Sequence, residues 1–285
     1  MNKGIAKILT AQPQSVGDGF VGKNAFHPQN SLDFSPYLLL DHHGPMDVKN
    51  SEKQKGVDEH PHRGFETITV VYQGALEHRD SAGNFGKLFP GDVQWMTAAS
   101  GIVHEEKHEK EFSKKGGILE FVQLWVNLPA KYKMIAPRYQ ELQAEKFPSK
   151  TLQEGVKFRV IAGDLMGLHG IAETFSEIIL ADLELDEGVA TTLNFTENLN
   201  ISVYVLNGEL KLNDTNTIKA GQIALLEQSE NDLQIATIKK AKIIIIGGEK
   251  INEPLATHGP FVMNTREELM EAFQDFQAGK MGRLN

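Results

Sequence analysis

One pattern constrains the fold more than any other. It is a run of β-formers, a glycine, a second run, a second glycine and a third run, and it occurs twice. ITVVYQGALEH (68–78) is followed by KLFPGDVQWM (87–96), and ISVYVLNGELK (201–211) by TIKAGQIALL (217–226). Gly74 and Gly91 punctuate the first copy, and Gly208 and Gly221 the second. Asn207-Gly208 between two β-rich runs predicts a hairpin, because both residues tolerate the positive φ of a type I′ turn. Lys242–Ile246 (KIIII) ends in the same way, at Gly247-Gly248. Short strands at this spacing point to an all-β chain built as a duplicated antiparallel jelly-roll barrel, with room inside for a small ligand.

Between the copies, Leu128–Lys150 carries Pro129, Pro137 and Pro148 among polar residues. Such a stretch reads as a linker and sets a boundary near residue 140, giving domains 1–140 and 141–285. Near the C-terminus Thr265 and Glu268 form a capping box. Leu269, Phe273 and Phe276 follow at helical spacing, and Gly279 supplies a left-handed stop. A helix over 265–279 is expected, with its apolar stripe docked on a sheet.

Several chemistries are excluded. There is no cysteine, so thiolate metal sites, iron–sulfur clusters and cysteine nucleophiles are out. The net charge is −9 and no basic stripe with interleaved aromatics is present, which argues against nucleic-acid contact. G-x-S-x-G, P-loop and H-E-x-x-H motifs are absent, and Gly163–Gly167 lacks the lysine and following helix of a phosphate loop. No apolar run approaches the roughly 20 residues that span a bilayer, and no leader is visible, so a cytoplasmic protein without membrane contact is expected.

The ten histidines are unevenly placed. His60 and His62 form H-x-H, and His104 and Glu106 form H-x-E. Residues i and i+2 on a strand share a face, so both pairs can point into one barrel. Three imidazoles and a carboxylate would make an N₃O metal site. Glu66, four residues after His62, shares that face if the strand continues and could take the place of Glu106, which sequence alone does not exclude. At the same offsets from Gly208 and Gly221 the second copy holds Asn194, Thr196, Gln234 and Ala236. One barrel therefore carries a site and the other is a structural copy. His78 is a candidate neighbour of the ligands. His42 and His43 read as core or turn residues, and His27, His108, His169 and His258 as unremarkable.

HPHRGFET (60–67), PGDVQWMTA (90–98), GIVHEE (101–106) and NEPLATHGPFVMNTREE (252–268) together resemble the pirins, members of the cupin superfamily. The resemblance covers nearly the whole chain. It implies two cupin β-barrels packed face to face, with a single metal in the N-terminal one. His60, His62, His104 and Glu106 are then the ligands, which decides against Glu66. The implied metal is Fe(II), with Mn, Co, Ni, Cu or Zn also accepted by such a donor set. The implied activity is that of a flavonol (quercetin) 2,3-dioxygenase, which opens the heterocycle with O₂ and releases carbon monoxide. Glu106 would take the substrate's enol proton. The alternative is a metal- and redox-dependent regulator that binds a protein partner without turnover. Glu105, between two ligands, departs from the small residue common in relatives and is expected to point away from the metal.

Overall fold

The computed structural model of the chain describes residues 2–228 and 230–284. They form two compact units. The first contains residues 13–29, 38–144 and 251–284, and the second 2–12, 30–37 and 145–250. This differs from a single cut near residue 140, because both ends of the chain cross over. Near the N-terminus, Ile5–Thr10 pairs with Gln222–Leu226 of the second unit. The C-terminal helix, Arg266–Gln277, packs in the first unit instead, where Leu269 and Ala272 meet Phe261, Met263 and Val103. Crossovers of this kind depend on long-range pairing that no local signal encodes.

The first unit is a barrel of two antiparallel sheets. The larger has the order Arg138–Leu142, Val93–Thr97, Phe65–Gln73, Gly117–Asn127, Tyr37–Val48, Phe20–Phe26, Gln12–Val16. The smaller has the order Gly56–His62, Ile102–His108, Leu76–Asp80, Phe85–Leu88. Leu128–Lys150, expected as a linker, does more than connect. Its strand Arg138–Leu142 closes one edge of the larger sheet against Val93–Thr97, and its Lys133 is buried.

The second unit is a nine-stranded antiparallel sheet whose interior is packed with aliphatic and phenylalanine side chains, among them Phe158, Leu183, Phe195, Val203, Leu210 and Ile245. Its one histidine, His169, is exposed. Both units are cupin domains in the order of their parts. In each, a strand meets a glycine with positive φ (Gly74, +79°; Gly208, +86°), and a second such glycine follows (Gly91, +95°; Gly221, +81°).

Asn207-Gly208 does not make the expected hairpin. The strand runs unbroken from Asn200 to Leu212, with register shifts on both sides of Asn207 against Asp232–Gly248. A Cβ at Gly208 would lie 2.2 Å from the Lys240 carbonyl oxygen. The pair is therefore a bulge that bends a long strand, and glycine is needed for close approach as well as for φ. Gly74 plays the related part in the first unit. There the chain leaves the larger sheet after Gln73 and enters the smaller one at Leu76.

The expected C-terminal helix is present, and its capping box is formed. The Thr265 hydroxyl accepts from the Glu268 N–H at 3.2 Å, and the Glu268 carboxylate accepts from the Thr265 N–H at 3.0 Å. Leu269 is buried, while Phe276 is partly exposed. Thr265→Ala should cost about 1 kcal/mol, and Thr265→Ser should restore it, as read by urea unfolding.

Candidate metal centre

The strand Ile102–His108 lies between Gly56–His62 and Leu76–Asp80. Register puts His104 opposite His60 on one side and Asp80 on the other, and Glu106 opposite His78. Between His104 and Glu106 the pairing to Gly56–His62 shifts, so that His60 and Val57 face residues only two apart. The extra residue is a β-bulge, a device that re-aims side chains near functional sites. His60, His62 and His104 each offer a ring nitrogen, and these atoms lie within 4.8 Å of one another. The ring centroids are 4.2–5.0 Å apart.

The hydrogen bonds at the rims fix which nitrogen each ring presents. His60 Nδ1 donates to the Asp58 carbonyl at 2.8 Å, and His62 Nδ1 to the Pro260 carbonyl at 3.2 Å. A carbonyl only accepts, so both rings carry the proton on Nδ1 and leave Nε2 to bind. His104 Nδ1 lies 3.4 Å from His78 Nδ1, and its buried Nε2 has no hydrogen-bond partner among the described residues. An orphaned buried nitrogen is costly unless something binds it. Burial, together with the neighbouring histidines, holds His62 and His104 well below the usual imidazole range. Neutral rings with free lone pairs are the form that ligates a metal. The donor set fits a divalent ion.

Glu106 is buried on the same strand two residues beyond His104, but it is not among the three residues brought together within 4.8 Å. Its Oε1 accepts from the Thr69 hydroxyl at 3.0 Å. Glu66 is elsewhere. Thr69 faces Glu106, so Glu66, three residues away on the same strand, occupies the opposite face. There it accepts from the Thr97 hydroxyl at 2.6 Å, and burial pushes its carboxyl up to about 7. Glu105 points away from the cluster and bonds Arg79. His78 is buried against His104 and stacks on Tyr139, with centroids 5.0 Å apart.

The remaining histidines lie outside the cluster. His42 faces Glu120 at 3.2 Å, and His43 stacks on Phe121. His108 packs against Phe20. His27, His169 and His258 meet Gln29, Asp164 and Phe273.

Comparison with known proteins agrees with this architecture. A family model described as Pirin matches residues 20–126, and one described as the Pirin C-terminal cupin domain matches 180–282. A Pseudomonas aeruginosa protein named as a candidate quercetin 2,3-dioxygenase is 44% identical, with 100% of both chains covered. Human pirin is 32% identical over 99% of this chain and 94% of its own. The chain belongs to the pirin family. A crystal structure of quercetin 2,3-dioxygenase from Acinetobacter baumannii superposes with a TM-score of 0.97 at 41% identity, covering 100% of both chains.

Several residues around this pirin-family site were not singled out from sequence. Gly64 follows His62-Arg63 with φ +88°, and a Cβ there would lie 1.9 Å from the Val262 carbonyl oxygen. Glycine thus lets 251–284 approach the strand of His60 and His62 closely enough for Pro260 to reach His62. Buried Lys133 donates to the carbonyls of Gly64 and Val262 and to Asn127 Oδ1, at 2.6–3.0 Å, tying the same two segments. Arg63 donates to the Ser100 carbonyl and to Asp275 on the helix, and Lys280 also donates to Asp275. The Arg63 and Lys133 contacts carry no sequence signal, since their partners are far along the chain. Asp80 did carry one: it lies two residues from His78, on the same strand face.

Lys280 and Arg63 hold the Asp275 carboxyl below its usual range. Its stabilising effect is complete above the ordinary aspartate range and is lost as pH falls through the lowered value. Asp275→Asn should therefore lower the melting temperature at neutral pH and bring mutant and parent together at acid pH, in a calorimetric pH series.

Proposed function

We propose that the protein is a flavonol 2,3-dioxygenase of quercetinase type, with its divalent metal, Fe(II) first among the candidates, held by His60, His62, His104 and Glu106. The observation that carries this is the cluster of His60, His62 and His104, with ring nitrogens within 4.8 Å of one another and the buried His104 Nε2 without a partner among the described residues. The names of the Pseudomonas and Acinetobacter relatives support the substrate class, a flavonol with O₂.

A bound ion of this kind would supply a Lewis-acidic anchor for the substrate's enol oxygen and an electron partner for dioxygen. The protein's own contribution is positional. Thr69 holds one oxygen of Glu106, which leaves the other for the ion and for the substrate's enol proton. Half-buried Trp125 lies against Phe65 at 4.4 Å between centroids, and His62 meets both rings edge-on at 5.0–5.2 Å. These rings form an apolar wall beside the histidines, suited to a planar polyphenol. The sum of the reaction is opening of the heterocycle by O₂ with release of carbon monoxide.

The test adds ferrous iron and quercetin under air and follows loss of flavonol absorbance. His62→Ala should abolish both turnover and stoichiometric metal. Glu106→Gln should lower kcat by at least about 10²-fold, with part of the metal affinity retained. Turnover surviving His62→Ala would remove the site assignment. A fully loaded parent protein that leaves flavonols untouched would remove the activity while keeping the metal centre.

A further inference from the structure

Two of the three imidazoles donate their Nδ1 proton to a backbone carbonyl, whose character the protein cannot adjust. His104 differs. Its Nδ1 faces a second histidine, and that histidine faces a buried carboxylate. His78 Nδ1 lies 3.4 Å from His104 Nδ1, and His78 Nε2 lies 3.2 Å from Asp80 Oδ2. Both neighbours are buried, with His78 at 1% and Asp80 at 4% exposure.

The neighbouring hydrogen bonds point to one arrangement of protons in this chain. Asp80 Oδ1 accepts from the Ala82 N–H at 2.9 Å and the Asn84 N–H at 3.0 Å, and the Asn84 amide donates to both carboxylate oxygens at 2.9–3.1 Å. A carboxyl surrounded by donors is ionised and accepts, so His78 carries its proton on Nε2. Gln94 is consistent with this. With its Oε1 accepting from the Tyr139 hydroxyl at 3.4 Å, its Nε2 lies 3.2 Å from His78 Nδ1. His78 Nδ1 is then the acceptor, its one lone pair shared between Gln94 Nε2 and His104 Nδ1. Facing an acceptor, His104 carries its proton on Nδ1, and Nε2, the nitrogen without a partner, is a bare lone pair.

We propose that Asp80 and His78 are positioning residues for His104, forming a carboxylate–histidine–histidine relay that fixes its tautomer and strengthens it as a metal ligand. The relay rests on the metal reading given above, but the tautomer it predicts is a property of the metal-free protein. Removing the charge reverses every link. In Asp80→Asn the amide can turn an N–H toward His78 Nε2, which becomes the acceptor. His78 then donates from Nδ1, His104 accepts there, and the proton on His104 moves to Nε2, where it blocks the metal.

Two measurements test this. Long-range ¹H–¹⁵N spectra of the metal-free protein report the protonated nitrogen of each ring. His104 should be protonated on Nδ1 in the parent and shift toward Nε2 in Asp80→Asn. Co(II) affinity, by competition with a chelator, should fall about 10–100-fold in Asp80→Asn. His78→Phe, which keeps a ring against Tyr139, breaks the relay. In that background Asp80→Asn should cost less than about twofold more, as expected for coupled residues. An equal cost in both backgrounds would make Asp80 a purely structural turn residue and overturn the relay. So would His104 protonated on Nε2 in the parent, a result that needs no variant to fold. A parent protein that fails to bind Co(II) would instead sink the metal reading, and the parent spectrum would still decide the relay.

Discussion

A buried imidazole nitrogen, His104 Nε2, with no partner among the described residues is the feature around which the first barrel is arranged. Leaving such a nitrogen unsatisfied costs about 1–3 kcal/mol, and charging it in the interior costs more. The fold accepts this at His104 and sets His60 and His62 beside it. The groups around the cluster are held by specific contacts. Asp58 and Pro260 carbonyls hold two rings, and His78 holds the third. Thr69 holds Glu106. What remains free is the set of lone pairs a cation can fill.

The two barrels solve opposite problems with one topology. The second is closed by apolar side chains, and its only histidine is at the surface. The first gives up part of that apolar filling. Along Phe65–Gln73 the inner face changes from Phe65 through Thr67 and Thr69 to Val71, which packs with Leu76, Leu88 and Phe121. A polar belt thus lies between an aromatic wall beside the histidines and an apolar floor. Part of the lost cohesion is recovered by 251–284, whose helix and preceding hairpin cover Val103 and tie to Arg63 and Lys133. The C-terminal segment therefore acts on the site as well as on stability, since one of its carbonyls orients His62.

Much of the fold was legible because it has a short period. Strand alternation put His60 with His62 and His104 with Glu106, and the capping box marked the start of the helix at Thr265. The glycine punctuation of the two repeats was readable for the same reason. Its meaning was only partly so: Asn207-Gly208 has the sequence of a tight turn yet sits in a continuous strand, because pairing along both halves of Asp232–Gly248 outweighs the local turn preference. The polar, proline-marked stretch 128–150 looked like a tether, yet it supplies Tyr139 and Lys133 to the first unit.

The sequence by itself determined the all-β duplicated architecture, the presence of the H-x-H and H-x-E pairs in only one copy and the pirin family, since each rests on patterns within a few residues or on long contiguous motifs. Tertiary structure alone decided which ring nitrogens are free, that Glu66 and Glu106 occupy different faces, and that Asp80 reaches His104 through His78. It also decided that both ends of the chain cross between units. Those facts depend on cross-strand register and on contacts between residues far apart in the chain, such as His62 with Pro260 and Arg63 with Asp275. Local propensity carries no information about either.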